Sequence, residues 1–457
     1  MLPLARSLLV IMTLLGGVSA SLADESNTAH SQNPTQRLVQ PDPKMPAAKG
    51  LDFSMGNGVF KTNWVAAPAS TQAVDGLGPI YNARSCNACH PGGTRSRDLT
   101  DTKGVPVPGL LLHVSQMIDG KAGPDQVYGQ QIQTSGIGNQ QPEGHLAVKH
   151  VEGPQVTLAD GTVVQLYRTE PTLTELAFGP LSPTTSIGLR IGPAIHGLGL
   201  LERIPEKAIL AQVGHEKDVA GRANQVLDIA SGEMRVGRFG WKASQPSLMQ
   251  QNAHAFAIDI GMSNRDFPAG SGDCTAAEKD CMAAPSGNSP QFGNVEIADS
   301  LLDLVDTFTR YALLPKSKTE ADAATLAAGK QVFAASGCTS CHRPGFDLPK
   351  TVDAPARHIA PYTDLLLHKM GPGLADGVAE GGAAGHEWRT APLWGLGRAV
   401  AVDAEGKEQG ALLHDGRAAS ILEAILWHGG EAQAAQARVV ALPTKDRDSL
   451  IAFLRSL

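Results

Sequence analysis

The stretches Cys86-Asn-Ala-Cys89-His90 and Cys338-Thr-Ser-Cys341-His342 decide how this sequence of 457 residues is interpreted. Cys-x-x-Cys-His is the signature of covalent attachment to a c-type haem. The two thiols add to the vinyl groups of the porphyrin, and the following His binds the iron. The alternatives are a zinc site made from both pairs, a thioredoxin-like redox pair and two short disulfides. None of them requires a His directly after each pair, so the sequence predicts two covalently attached haems.

The N-terminus has the parts of a secretory signal peptide. Arg6 precedes a short apolar run, and small residues that suit cleavage end at Ala23. The run is too short to span a bilayer, and no later stretch has 18 uninterrupted apolar residues, so we expect export to the periplasm without stable membrane insertion. Cys274 and Cys281 lie in a polar loop with no following His. They are expected to form a local disulfide, with a free thiol pair as the alternative.

Composition excludes some classes of function and predicts many turns. The net charge of −7 gives no basic footprint for nucleic acid. The chain has 50 Gly and 30 Pro residues, well above the roughly 12% that the two usually make up together. Long loops between the helices are therefore expected.

The chain is expected to have four segments. Residues 1–23 are the signal peptide, and 24–55, which are polar and contain four Pro, are a flexible leader. Residues 56–315 form a first, larger haem domain, and 316–457 form a second. Pro315 ends an apolar helical stripe, and the polar stretch after it serves as a linker.

The second unit opens in the way that a cytochrome c domain opens. A helix is predicted over 323–335, with Gly337 as its C-cap and Cys338 directly after it. Such a domain usually closes with a terminal helix packed on the opening helix, and Thr444 suits the N-cap of that helix. A helix over 296–314 is expected to close the first unit in the same way.

Two further elements lie between the haem motifs. Asp160-Gly161 between alternating apolar runs predicts a β-hairpin, and Pro246 at the start of 245–260 predicts a helix. The fold class expected from these patterns is mainly α. It consists of two cytochrome c-like haem domains with long loops and a small β-hairpin insertion in the first.

Beyond these patterns, the sequence resembles a known family, the bacterial di-haem oxidoreductases that are regarded as periplasmic peroxidases. The resemblance runs from about Gly58 to Leu457. The matching blocks are 76–84, 197–202, 237–242, 364–376, 388–395, 413–418 and 423–430. The last blocks also resemble the second half of di-haem cytochrome c peroxidases and of a related enzyme that matures a quinone cofactor.

The resemblance implies a second ligand for the second haem. In the peroxidase relatives a Met stands fourteen residues after the His of a His-Asp-Gly motif. Here that His is His414, and fourteen residues later stands His428. We therefore expect His428 to bind the iron, with Met370 as the rival ligand and ordinary packing as the alternative for both. Imidazole in place of thioether lowers the reduction potential, since Met ligation raises it.

The resemblance also implies that the first haem is the reaction site. In the relatives a Gln and a Glu ten residues apart lie over it; the Glu moves the peroxide proton, and the Gln helps to orient the oxygens. Gln133 and Glu143 have this spacing, and a carboxylate near apolar porphyrin suits acid–base work. A solvated loop carboxylate is the alternative. His113 is expected as a displaceable cap on this haem, with His145 and His196 as weaker candidates.

Other residues of the matching blocks suit haem sites. Haem propionates need donors, and Arg84, Arg238 and Arg389 supply them unless they bond a loop or a helix end. Three of the five Trp residues lie in the second unit and either line an electron route between the haems or pack the core. These residues are Trp388, Trp394 and Trp427.

The function expected from the resemblance is reduction of peroxide, or another small oxidant, in the periplasm. The electrons come from a small donor protein of the cytochrome c or cupredoxin type. A non-catalytic di-haem electron carrier and a di-haem oxidase acting on a protein or thiol partner are the alternatives. The sequence leaves open a Ca²⁺ ion that bridges the two domains.

Overall fold

The computed structural model describes residues 39–214, 218–313 and 319–457. The expectation of a mainly α fold is wrong: the structure has 28% helix and 24% strand, in many small sheets. It therefore does not show a mainly α cytochrome c fold. The physical reason is that the many Gly and Pro residues interrupt helices, and the loops between them satisfy their backbone groups by pairing with each other. Such pairings leave little periodic signal in the sequence.

The helices of eight or more residues among the described residues are Gly50–Lys61, Leu248–Asp259, Asp299–Tyr311, Ala323–Ala335, Gln433–Val440 and Thr444–Ser456. Shorter α-helices are Cys86–Cys89, Leu198–Glu202, Glu206–Leu210, Lys279–Met282, Leu396–Ala399 and Ile421–Leu426.

The largest sheet has four strands, in which Leu110–Ile118 pairs with Thr185–Ile191, Lys121–Gly123 and Gln131–Ile132. The remaining sheets have two strands each. They are His145–Thr157 with Val163–Thr174, Gln225–Asp228 with Glu233–Val236, Phe346–Leu348 with Arg357–Ile359, Leu367–Lys369 with Glu387–Arg389, Val400–Val402 with Glu408–Gly410, Gln40–Pro41 with Ala312–Leu313, Val65–Ala66 with Asp75–Leu77, and Ile80–Tyr81 with Ser135–Gly136.

The helix pair expected around the second haem motif is confirmed. The helices Ala323–Ala335 and Thr444–Ser456 cross closely at Gly329, where a Cβ atom would lie 2.0 Å from the carbonyl oxygen of Ser449. The rings of Phe333 and Phe453 pack 5.6 Å apart across the same crossing. Only Gly allows this approach of the two backbones.

A second close pair lies near the first haem motif. The helix Asp299–Tyr311, expected over 296–314, packs on Gly50–Lys61, and a Cβ on Gly56 would lie 2.0 Å from the carbonyl oxygen of Leu304. This pairing differs from the expectation of a flexible leader over 24–55. Residues 1–38, including the expected signal peptide, lie outside the described residues, but from Val39 onward the chain is packed, and Phe53 is buried.

The β-hairpin predicted at Asp160-Gly161 is confirmed and is longer than expected, with strands His145–Thr157 and Val163–Thr174. Its tip reaches the C-terminal helix: Asp160 Oδ2 accepts hydrogen bonds from Arg447 at 2.6 Å and from Thr444 at 2.8 Å. The expected boundary between 315 and 316 lies outside the described residues, so the division into two haem domains stays a prediction. In the described part of the chain, no helix is long and apolar enough to cross a membrane.

Candidate haem sites

The first Cys-x-x-Cys-His motif lies on the wall of a large cavity. His90 follows the short helix Cys86–Cys89, and all three motif side chains line a cavity of about 1070 Å³. Cofactor pockets usually measure roughly 300–1,000 Å³, so the cavity is large enough for a haem. His90 Nδ1 lies 2.7 Å from the carbonyl oxygen of Pro193. A bond of this kind fixes the tautomer of an imidazole and leaves Nε2 as its iron-binding atom.

Two arginines whose guanidinium groups contain nitrogens without a hydrogen-bond partner line the same cavity. Arg95 Nε and the Nε and Nη2 atoms of Arg190 are buried and have no hydrogen-bond partner in the described part of the chain. Leaving a buried charged donor unpaired is costly. The carboxylates of haem propionates are the partners that Arg suits best. The donor set of the cavity therefore fits a haem.

The arginines that the sequence singled out are placed differently from one another. Arg389 and Arg238 both line the cavity and are buried, but Arg389 donates two hydrogen bonds to backbone carbonyls and Arg238 donates three. Arg84 is exposed, and Arg84 does not line the cavity. Sequence reasoning missed Arg95 and Arg190. Arg95 lies only five residues after His90, and this short spacing could have identified it. No motif in the sequence around Arg190 identified that residue.

Another part of the cavity wall carries a carboxylate and two imidazoles. Glu380 Oε1 accepts a hydrogen bond from Ser244 Oγ at 2.6 Å, and Glu380 Oε2 lies 3.6 Å from His113 Nδ1. The His113 and Glu380 side chains are only 22% and 23% exposed, and both line the cavity together with His254. Burial alone would raise the pKa of Glu380, but the contacts with His113, Arg190 and Ser244 outweigh it and hold the pKa well below its usual range, so the carboxylate is ionised at neutral pH and is in the form that accepts a proton.

His113 is thus on the cavity wall, as expected, and its Nδ1 faces a carboxylate. Its role as a displaceable cap stays a prediction. His196 also lines the cavity, with Nε2 3.0 Å from the carbonyl oxygen of Trp394. His145 is exposed and pairs with Glu175 at 3.4 Å, away from the cavity. Sequence reasoning missed His254 and Glu380, which no motif or spacing connected with His90.

The two residues expected to act on peroxide lie together but not in this cavity. The backbone N–H of Gln133 donates to Glu143 Oε2, and the side chain of Gln133 donates to the carbonyl of Ile258. Glu143 is fully buried, and neither Gln133 nor Glu143 lines the cavity with His90. Burial raises the pKa of Glu143, and the nearby charge of Glu278 raises it further. The catalytic role of the pair stays a prediction that this placement does not support.

At the second motif, two imidazoles lie close together. His342 Nδ1 lies 2.9 Å from the carbonyl oxygen of Tyr362, and His428 Nδ1 lies 2.7 Å from that of Ala424. Each contact leaves the Nε2 atom of its ring available. The centres of the two rings are 6.5 Å apart.

That separation fits two ligands of one iron. The centre of an imidazole ring lies about 1.1 Å from its nitrogens, given C–N bonds of about 1.33 Å. An imidazole nitrogen binds a first-row metal at about 2.0 Å. Two imidazoles on opposite sides of an iron therefore have centres about 6.2 Å apart. Met370, the rival ligand, packs against the apolar core that contains Trp427. The geometry favours His428, whose role as ligand stays a prediction.

A cluster that the sequence did not reveal lies beside Cys341. His368 Nε2 is 2.9 Å from Asp364 Oδ2, and its Nδ1 is 2.9 Å from Glu431 Oε2 and 3.6 Å from Cys341 Sγ. Burial would lower the pKa of His368, but these hydrogen bonds outweigh it and raise the pKa to about 12. Cys341, Asp364 and His368 also offer ligand atoms within 4.8 Å of one another. A thioether bond between Cys341 and haem would use the Sγ atom of this cluster.

The Trp residues differ in their surroundings. The Trp388 ring stacks on His414 with centres 3.6 Å apart, and Lys242 Nζ and the Arg190 guanidinium lie 3.8 and 4.6 Å from its centre. Trp427 has a guanidinium over its ring at 4.7 Å. Trp394 lines the cavity of the first motif. Trp388 and Trp427 are buried in one apolar cluster, as the packing alternative expects.

The remaining cysteines, Cys274 and Cys281, form the expected disulfide. Cys86, Cys89, Cys338 and Cys341 are all free thiols, as haem attachment requires.

Comparison with known proteins gives one family match. A family model described as "Di-haem oxidoreductase, putative peroxidase" matches residues 180–457, more than half of the chain, including the second haem motif. No curated protein matches the chain significantly. A solved structure of hydrazine synthase from Kuenenia stuttgartiensis, pressurised with xenon, is 11% identical. It covers 99% of this chain and 100% of its own, with a TM-score of 0.33.

Proposed function

Because the chain belongs to the di-haem oxidoreductase family, we propose that it is an exported di-haem c-type peroxidase that reduces hydrogen peroxide. The family implies haem cofactors, and the two Cys-x-x-Cys-His motifs are the proposed attachment points. When bound, haem iron supplies one-electron redox chemistry and, where one face is open, a binding position for a small oxidant.

The observation that supports this proposal is that the two candidate haem sites differ in the space and in the imidazoles around their motifs. The first motif opens on a cavity of about 1070 Å³ that also holds a carboxylate and several imidazoles. At the second motif, the ring centres of His428 and His342 lie 6.5 Å apart, close to the about 6.2 Å expected for two imidazole ligands of one iron. A haem with ligands on both faces transfers electrons, whereas a haem with an open face binds a substrate. The first site is therefore proposed as the reaction site and the second as the electron entry.

The proposal assigns haem attachment and propionate binding to the following residues. Cys86, Cys89 and His90 hold the first haem, and Cys338, Cys341 and His342 hold the second. Arg95 Nε and the Nε and Nη2 atoms of Arg190 would pair with propionates in the first cavity, where these three atoms lack other partners among the described residues, while Arg190 Nη1 pairs with Asp376.

Electrons are proposed to arrive one at a time from a small redox protein of the cytochrome c or cupredoxin type. The proposed location is the periplasm, because residues 1–23 have the pattern of a signal peptide and disulfides such as Cys274–Cys281 persist in oxidising compartments. Location and partner both rest on the sequence.

The test is steady-state turnover. Purified protein carrying both haems is mixed with hydrogen peroxide and a reduced, small soluble cytochrome c. Oxidation of this donor is followed by absorbance. We expect catalytic donor oxidation that depends on peroxide. If both haem spectra stay unchanged with peroxide, in oxidised and in half-reduced protein, the peroxidase proposal is wrong. Absence of a high-spin ferric signal in electron paramagnetic resonance would then indicate a pure electron carrier.

A further inference from the structure

We propose that Glu380 is the catalytic acid–base residue of the His90 cavity, in the place that sequence reasoning gave to Glu143. The inference rests on the proposed peroxidase function and names the group that moves the peroxide proton. Two carboxylates among the described residues line this cavity, Asp259 and Glu380. Asp259 Oδ1 is bound by the side chain of Gln131 at 2.8 Å.

The backbone at Glu380 forms a tight turn. The N–H of Glu380 donates to the carbonyl of Ala383 at 3.0 Å, and the N–H of Ala383 donates back at 2.8 Å. Between them, Gly381 and Gly382 have φ values of 52° and 86°. Two consecutive residues with positive φ define a type I′ turn, which favours Gly at both positions. A Cβ on Gly381 would also lie 2.7 Å from the Cβ of Ser244, so the turn packs directly on the residue that binds Glu380.

Three side chains from another part of the chain hold this turn in place. Asn224 Nδ2 donates to the carbonyl of Gly381 at 2.8 Å, and Arg222 Nη2 donates to that of Gly382 at 2.9 Å. Lys242 Nζ, which is fully buried, donates to the carbonyl of Ala384 at 2.9 Å. A carboxylate on a turn held in this way is pre-organised, as a catalytic group must be.

The carboxylate itself is oriented by two neighbours. Ser244 Oγ binds one oxygen, and His113 Nδ1 faces the other. The side chain nevertheless keeps 23% of its surface exposed, on a residue that lines the cavity. Glu143 is the opposite case, since it is fully buried and does not line the cavity. Glu380 therefore combines an oriented carboxylate with access to the space where peroxide would bind, which Glu143 lacks, and among the described residues it has two side chains on its oxygens where Asp259 has the one bond from Gln131.

The proposed step moves one proton within the substrate. Glu380 takes the proton from one oxygen of hydrogen peroxide and returns it to the other, so that the O–O bond breaks and the second oxygen leaves as water with the bonding electron pair. The first oxygen then takes up the two donated electrons and two protons and leaves as the second water. Over the whole reaction, one peroxide, two electrons and two protons give two waters. The electrons come from the small donor protein, and the protons come from solvent.

The experiment compares Glu380→Gln with matched variants in protein that carries both haems. Glu170→Gln is the control, because Glu170 is exposed on the hairpin strand Val163–Thr174. Glu143→Gln and Asp259→Asn represent the rival carboxylates. Peroxide turnover is measured together with the rate at which cyanide binds to the oxidised protein. Hydrogen cyanide must give up its proton when it binds iron as cyanide, so a nearby base accelerates this binding without any turnover.

We expect Glu380→Gln to lower turnover about 10²-fold, the lower end of what a positioned acid–base group contributes. Cyanide binding should slow by a similar factor, with two haems per chain retained, and Glu380→Asp should recover part of both rates. Glu170→Gln should change neither. If the wild type reduces peroxide and Glu380→Gln keeps both rates within threefold, the inference is wrong while the proposed function stands. Loss of both rates in Glu143→Gln or Asp259→Asn alone would give the role to that residue. A wild type without peroxide activity would contradict the proposed function itself.

Discussion

The centres of the imidazole rings of His342 and His428 lie 6.5 Å apart, although 86 positions separate the two residues in the sequence. Each ring is oriented by a bond from Nδ1 to a backbone carbonyl. The pair links the second Cys-x-x-Cys-His motif to the segment that follows the helix Ile421–Leu426. This relationship gives the second haem two protein ligands in our proposal and distinguishes it from the first.

Replacing His428 with Ala should leave the iron of the second haem with one unoccupied ligand position. We expect the six-coordinate low-spin signal of that haem to become high-spin, because the iron loses one imidazole. Optical and electron paramagnetic resonance spectra of the oxidised protein measure the change. His358→Ala is the control, since His358 is exposed and pairs with Asp347 at 2.8 Å. A low-spin second haem in His428→Ala would instead favour Met370 as ligand.

Replacing Arg95 with Met should lower the reduction potential of the first haem. A cation beside a haem stabilises the reduced form, so its removal favours the oxidised form. An effect on the order of 1 kcal/mol corresponds to about 40 mV for one electron. Redox titration followed by absorbance measures the shift, with exposed Arg168→Met as the control. An unchanged or higher potential in Arg95→Met would contradict the assignment of Arg95 to a propionate.

Replacing Trp394 with Phe should slow electron transfer between the haems. His342 Nδ1 bonds the carbonyl of Tyr362, and the preceding Pro361 accepts a bond from the N–H of Leu393 at 2.8 Å. The next residue, Trp394, lines the first cavity. This short covalent and hydrogen-bonded path connects the two sites.

Trp388→Phe is the matched comparison for Trp394→Phe. Lys242 and Arg190 lie over the Trp388 ring, and two cations oppose removal of an electron from it. Flash reduction of the second haem, followed by the spectrum of the first, should show several-fold slower transfer in Trp394→Phe and little change in Trp388→Phe. The reverse result would assign the route to Trp388.

Glu143 should make stability depend on pH. Its folded-state pKa is raised above the usual 4.5 by burial and by Glu278. Below pH 4.5 both the folded and the unfolded chain hold the proton, so stability is full. As pH rises above 4.5 the unfolded chain releases the proton while the folded chain keeps it, and stability falls.

The corresponding variant is Glu143→Gln. We expect it to flatten the decline of the melting temperature between pH 5 and 9 that the wild type shows, because Gln needs no proton to stay neutral. Glu170→Gln should follow the wild type. Equal slopes in Glu143→Gln and the wild type would show that Glu143 is not protonated in the folded protein.

Local sequence patterns predicted the helices well, but they did not predict which distant segments of the chain pack together. The helix over 323–335 was predicted to the residue, because Gly337 and an apolar face mark it locally. The mainly α expectation failed because the strands Leu110–Ile118 and Thr185–Ile191 pair over a long sequence separation, and because many other strands have only two or three residues and so have no period of their own.

The candidate sites show the same division. The Cys-x-x-Cys-His residues are adjacent in sequence, and sequence alone singled them out. Gln133 and Glu143 matched a spacing and do lie together, but which cavity they face depends on the packing around them. Glu380 reaches the first site from 290 positions beyond His90, so no local pattern could have connected them.

The most direct test of the central claim is the number of covalently bound haems per chain. Pyridine haemochrome spectra of the purified protein give the number, and mass spectrometry of its peptides gives the positions. We predict two haems per chain, one on a peptide with Cys86 and Cys89 and one on a peptide with Cys338 and Cys341. One haem, none, or haem that acid acetone extracts from the chain would contradict the account.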